Sequence, residues 1–230
     1  MFFAFRVDTE VPHEKHIVET LKVAEEYSIK MTWFMCMEEM EKQPDIIMRL
    51  AETQDIQSHG YLHETYHSVE KNYNNIALAD ESLRKMGIEP VGFAAPFGIW
   101  NESLGTALDK TNYVYSSEFY NSSFPFYYKH HKTLQVPIFP VCLGNLLMLK
   151  LPINRIKKYY LNIIEYFCRK NEPMFLYCHP DKRLGKYPEV LKFIMNEVVE
   201  RGIKITTLTD YAKEAVRKKS MSTSKAPTNI

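Results

Sequence analysis

The chain has 230 residues, 45% of them hydrophobic and 13% aromatic, which suffices for the core of one layered α/β domain and is short for two. Lysine and arginine number 29 against 28 acids, a net charge of +1, so a strongly basic nucleic-acid binder and an acidic disordered chain are both excluded. The four cysteines, Cys36, Cys142, Cys168 and Cys178, show neither C-x-x-C nor paired metal-ligand spacing and read as small buried hydrophobes in a reducing compartment.

The first run, residues 2–7, reads as a strand that delivers Asp8-Thr9-Glu10 at its C-terminal end. No basic leader precedes Arg6 and Asp8, so a signal peptide is not expected and a cytoplasmic location is the reading. A helix with Ile17, Leu21 and Ala24 on one face comes next, with His13 and His16 on it or on its approach. Strand 31–36, a helix carrying Ile46, Ile47 and Leu50, and strand 55–58 follow. That strand opens into Ser58-His59-Gly60-Tyr61-Leu62-His63, two histidines four apart at a predicted strand-to-helix transition. Such spacing lets both imidazoles face one point on a helical turn, and neutral imidazole suits zinc, iron, cobalt or nickel. A third ligand is then required, from the acids of Asp8-Thr9-Glu10 or from His67, four residues further on. A strand-end D-x-E can place one carboxylate on an ion and leave the other to accept a proton.

Strand 91–95 runs into the turn Ala95-Pro96-Phe97-Gly98, and strands 113–117, 135–141, 174–178 and 204–208 complete the set. Gly87 and Gly202 stand where helix C-caps want a residue that tolerates positive φ. His130 and His131 read as surface residues. His179, followed by Pro180 at a strand end, reads as an acid/base group. The apolar stretch 136–153 is broken by three prolines, Asn145 and Lys150 and cannot span a membrane. Ile156, Tyr160, Ile163, Ile164 and Phe167 mark an amphipathic barrel helix with snorkelling lysines, and peripheral membrane contact through 154–170 is the weaker alternative. From Ser220 to the end a disordered tail is expected, leaving one domain over residues 1–219.

Seven or eight strands alternating with helices predict an α/β fold, a distorted (β/α) barrel that is closed or incomplete; an open doubly wound sheet uses the same units. In either architecture the strand C-termini share one face, so Asp8, His59, the 95–98 turn and His179 should converge there.

These segments, in this order, resemble the polysaccharide deacetylase family with the NodB homology domain, a carbohydrate esterase family 4-like group, over about residues 3–212. Asp8-Thr9-Glu10 is similar to a variant of its first motif, Ser58–His63 reproduces the H-x-x-x-H of its second, and Ala94-Ala95-Pro96-Phe97-Gly98 matches its third except at the arginine. His179 fits the late histidine motif, and residues 207–211 resemble the stretch that closes the domain.

The resemblance implies that Asp8 is the general base, that Glu10, His59 and His63 hold a divalent metal, and that His179 is the acid. Zinc is the first choice, with cobalt, nickel and iron(II) compatible. Pro96 and Phe97 would line the groove, the Phe97 N–H facing the oxyanion, with Tyr61, Trp100 and Phe119 as further groove candidates. The implied reaction removes an N-acetyl or N-formyl group from an amino sugar in a polysaccharide, oligosaccharide or lipid-linked precursor. Two departures stand out: Ala94 replaces the arginine that would pair with the catalytic aspartate, and 136–141 lacks the tryptophan of the fourth motif. The alternatives are a metal-holding, catalytically impaired carbohydrate-binding protein and an amidohydrolase of a non-sugar C–N bond.

Overall fold

The computed structural model describes residues 1–10, 13–120, 122–180 and 187–223. Its eight strands are β1 (Phe2–Asp8), β2 (Thr32–Met35), β3 (Asp55–Ser58), β4 (Gly92–Phe93), β5 (Tyr115–Ser116), β6 (Leu134–Gln135), β7 (Met174–Cys178) and β8 (Lys204–Ile205). All pair in parallel, in the order β6-β5-β4-β3-β2-β1-β7, with β8 against the N-terminal end of β1. The result is a curled half-barrel, the incomplete (β/α) barrel that the alternation of elements predicts.

The seam lies between β6 and β7. Where the sequence suggests a strand over 135–141, regular pairing stops at Gln135, because Pro137 and Pro140 have no N–H to give to a ladder. The Phe139 N–H donates to the Phe175 carbonyl at 2.9 Å across this seam, and Ile138 bridges Phe119.

Nine helices among the described residues flank the sheet: α1 (Glu14–Glu26), α2 (Met37–Met40), α3 (Pro44–Ala51), α4 (Val69–Lys85), α5 (Glu102–Leu108), α6 (Leu143–Met148), α7 (Ile153–Lys170), α8 (Tyr187–Glu200) and α9 (Leu208–Thr223). Strand alternation divides the core. Phe3, Phe5 and Val7 of β1, Trp33 and Met35 of β2, and Met174, Leu176 and Cys178 of β7 face the helices. Ala4, Phe34, Phe175 and Tyr177 share the barrel interior with Ala94, Tyr115 and Leu208. In α7 the expected face is buried at Ile156, Tyr160, Ile163, Ile164 and Phe167, so that face belongs to the barrel. Helix α9 runs to Thr223, past the predicted start of the tail at Ser220; residues 224–230 lie outside the described residues.

The interior is tight at β4. A Cβ on Gly92 would stand 2.2–2.5 Å from the Tyr115 ring, which is fully buried and tied through its hydroxyl to Thr209 at 3.0 Å. Overpacking of this kind costs about 1–3 kcal/mol, so Gly92→Ala should lower stability by that amount in a chemical-denaturation experiment.

Candidate active site

Residues two apart on a strand point the same way, so Ala4, Arg6 and Asp8 of β1 all face the barrel interior. Arg6 and Asp8 are buried there and joined by a fork, Nε to Oδ1 at 2.6 Å and Nη2 to Oδ2 at 2.7 Å. The third prong of the guanidinium, Nη1, donates to the Ser117 carbonyl at 2.5 Å, and its face lies 5.0 Å from the Phe34 ring centroid. Asp8 thus takes its guanidinium partner from β1 and not from position 94, and the small Ala94 lines the same interior layer. Burial opposes the charge on Arg6, but Asp8 and the nearby Glu118 raise its pKa.

The histidine pair is positioned by a loop, not by the helical turn expected from its spacing; α4 begins only at Val69. Gly60 adopts φ +82° directly after β3, and its side-chain-free face receives Asn75 Nδ2, which would lie 2.8 Å from a Cβ. Asn75 Oδ1 accepts from the Leu62 N–H at 2.7 Å while Nδ2 donates to the Leu62 carbonyl at 2.9 Å. Asn72 brackets Tyr66 in the same way, both bonds at 2.8 Å. Two amides on one face of α4 thus take the place of a backbone ladder and hold the 59–66 loop.

His59 Nδ1 lies 2.7 Å from the Ala94 carbonyl, a contact only an N–H can make, so Nε2 keeps its lone pair. Full burial lowers the His59 pKa to about 4, and burial also lowers that of His63. One ligand atom from each of Glu10, His59 and His63 lies within 4.8 Å of the other two. Glu10 Oε2 is buried with no hydrogen-bond partner, although its carboxyl is ionised: burial pushes its pKa up, but His179 and His59 outweigh that and bring it to about 2. Two imidazoles and an unpartnered carboxylate oxygen converging on one point fit a divalent metal. His67 is exposed and stands outside this group.

His179 follows β7 and reaches both neighbours of the site. Its Nε2 lies 2.8 Å from Glu10 Oε1 and 3.9 Å from Asp8 Oδ2, while Nδ1 is 3.1 Å from Cys142 Sγ. Burial works against its charge, but Cys142 and Glu10 raise its pKa well above the ordinary value. Cys142 is thus more than a buried hydrophobe: its sulfur also accepts from the Gly144 N–H at 3.2 Å, capping α6 while orienting the imidazole.

The turn after β4 is strained. Phe97, a residue with a side chain, sits at φ 60° and ψ 8°, with its ring 4.5 Å from His63 and 58% exposed at the rim. Beneath it the buried Glu118 accepts from the Ala95 N–H at 3.3 Å and from the Ser116 hydroxyl, and its Oε2 has no partner. Burial pushes this carboxyl up to about 7 against the opposing effects of Ser116, Arg6 and the Ala95 N–H.

A cavity of about 320 Å³ opens over these groups, lined by Arg6, Asp8, Glu10, His59, His63, Phe97, Gly98, Phe119, Tyr177 and His179. Asp8, Glu10, His59, His63, Phe97, Phe119 and His179 therefore meet as the sequence predicts, whereas Tyr61, Pro96 and Trp100 do not line the cavity. The Tyr61 hydroxyl turns to Glu41 at 2.6 Å, Pro96 is buried with its carbonyl facing the Thr65 hydroxyl, and Trp100 stacks on Tyr128 at 3.7 Å. His131 is not the surface residue expected. Its side chain is buried between Asp109 at 2.8 Å and Glu102 at 3.0 Å, acids too distant in sequence to be read as partners.

Residues 7–116 match the family model described as polysaccharide deacetylase. The fold resembles that of a provisionally named polysaccharide deacetylase from Mycobacterium smegmatis, with 17% identity, TM-score 0.80, and coverage of 95% of this chain and 91% of that one. A family 4 acetyl xylan esterase from Clostridium thermocellum in complex with a cobalt ion gives 16% identity, TM-score 0.62, and coverage of 91% and 89%. A CE4 family pseudoenzyme from Bacillus anthracis gives 12% identity, TM-score 0.66, and coverage of 92% and 65%. At such identities the likeness establishes the fold. No curated protein sequence matches this chain.

Two outcomes follow from the interior charges. Arg6→Lys keeps a cation but loses the fork, and it should reduce stability by about 1–3 kcal/mol in denaturant titration. Glu118 binds its proton more tightly folded than unfolded, so between about pH 4.5 and 7 folding stability falls as pH rises. Glu118→Gln keeps the acceptor for Ala95 and removes up to about 3 kcal/mol of that fall, read as the difference in denaturation free energy between pH 4 and pH 8.

Proposed function

We propose that this chain, a member of the polysaccharide deacetylase family, is a metal-dependent hydrolase that removes an N-acetyl or N-formyl group from an amino sugar of a polysaccharide, oligosaccharide or lipid-linked precursor. The observation that carries the reading is the meeting, in one cavity, of a Glu10–His59–His63 ligand set with two further groups able to move protons, Asp8 and His179. Glu10, His59 and His63 would hold the ion, and the N₂O donor set favours zinc while admitting cobalt, nickel or iron(II). When bound, such an ion supplies a Lewis acid for the acyl oxygen and makes water acidic enough to attack at neutral pH.

The remaining chemistry falls to the chain. Asp8 is the base: the Arg6 fork fixes its orientation and sets a positive charge against both of its oxygens. His179 is the acid. A raised pKa keeps Nε2 protonated for delivery to the departing nitrogen, and Cys142 holds the ring so that this nitrogen faces the cavity. The strained 96–98 turn brings Phe97 over His63, where its exposed ring offers a face to a sugar and its backbone N–H is the candidate donor to the tetrahedral oxyanion. Ala94 no longer argues for impaired catalysis, because Arg6 supplies Asp8 with a partner.

His59→Ala should abolish metal content, measured by elemental analysis of the purified protein, together with turnover. Asp8→Asn should retain the metal and lose about 10²–10⁴ in kcat on N-acetyl or N-formyl amino-sugar oligomers, read as acetate or formate release. Full turnover by Asp8→Asn would remove that residue from the role of base. Hydrolysis of cyclic ureides with none of N-acylated sugars would overturn the substrate class.

A further inference from the structure

The reversal between α6 and α7 exposes apolar side chains on the catalytic face. Met148, Leu149 and Leu151 are 50%, 67% and 37% exposed, and they are consecutive but for Lys150. Disorder does not explain their exposure. The Leu149 N–H donates to the Asn145 carbonyl at 3.2 Å and the Lys150 N–H to the Leu147 carbonyl at 3.0 Å, with Lys150 at φ 54° closing the turn. Leu143, Leu146 and Ile156 anchor its two stems in the core. Three apolar side chains exposed together on a hydrogen-bonded turn with core-anchored stems form a local apolar patch of the kind that marks a contact surface.

Topology places this tip. Helix α7 leads down to the start of β7, so its N-terminus, and the tip before it, lie at the level of the strand C-termini where the candidate active site opens. Lys157, one turn into α7, pairs at 2.6 Å with Glu189 in the first turn of α8, which also begins at that level. Around the tip Lys150, Arg155 and Lys158 are exposed and form no ion pair among the described residues. The exposed acids Glu38, Glu41 and Glu64 stand on the segments after β2 and β3, strands that neighbour neither β6 nor β7. Apolar side chains at the apex with unneutralised cations behind them are complementary to an anionic bilayer surface, whose headgroups carry the opposite charge over an apolar interior.

We propose that the 148–151 tip, with Lys150, Arg155 and Lys158, is a membrane-docking edge that seats the cavity mouth beside an anionic lipid surface. This is contact without spanning, since no helix among the described residues is long and apolar enough to cross a membrane. The inference is independent of the reaction and is tested without turnover. The full chain is sedimented with phosphatidylcholine vesicles containing 30% phosphatidylglycerol, and with phosphatidylcholine alone.

Binding to the anionic vesicles should be at least tenfold stronger and should weaken in 0.5 M salt. Leu149→Asp and Met148→Asp, both at exposed positions, should each lower it fivefold or more, and the triple variant Lys150→Glu, Arg155→Glu, Lys158→Glu should abolish it. Equal sedimentation with both vesicle types, no binding at all, or unaltered binding by the Leu149 and Met148 variants would overturn the proposal. So would a dimer in vesicle-free solution that Leu149→Asp dissociates, because the tip would then be covered by a second copy.

Discussion

Everything at the mouth of this barrel depends on one buried ion pair. Arg6 and Asp8 are two residues apart on β1, so the pleat alone aims both inward, and neither can turn to solvent without flipping the register of β1 against β2 and β7. The fork fixes the orientation of Asp8, and the guanidinium's remaining donor ties the pair to the Ser117 carbonyl just past β5, across the barrel interior. The cation also sits near Glu118, which organises the turn carrying Phe97, so one arginine touches three of the segments that build the cavity.

The incomplete barrel has its own consequence. Because two prolines stop β6 from pairing with β7, the segment after β6 is free to fold inward and bring Cys142 to His179. A closed ladder at that seam would have committed this backbone to hydrogen bonds with β7. The missing strand contacts and the sulfur partner of His179 are thus two effects of the same sequence feature, residues 137–140.

Most of the architecture was legible because it follows from local pattern: β-branched and aromatic runs ending in Asp8, Ser58 and Cys178 became strands, and the groups just past them met on one face. What escaped was decided by contacts between distant segments. Arg6 counted only as a polar interruption near the start of the chain, although its i, i+2 relation to Asp8 was a visible signal for a same-face pair on a strand. Cys142 offers no such signal, since only the fold brings it to His179, 37 residues on. The H-x-x-x-H spacing pointed to two converging imidazoles for a wrong local reason. It suits a helical turn, yet a loop bound by Asn72 and Asn75 achieves the convergence, and Tyr61, which a helix would have turned elsewhere, is drawn to Glu41.

Two acids separated by one residue show how environment divides labour. Intrinsically Asp8 and Glu10 are nearly the same group. Asp8 has both oxygens engaged by a guanidinium, so it is oriented but has little freedom to move toward a metal. Glu10 lies two residues beyond the strand, with one oxygen shared with His179 and the other buried and unpartnered among the imidazoles. A buried lone pair without a donor is costly unless a cation completes it. Of these two acids only Glu10 bears that cost, which is the physical reason the proposed function gives the ion to Glu10 and the proton to Asp8.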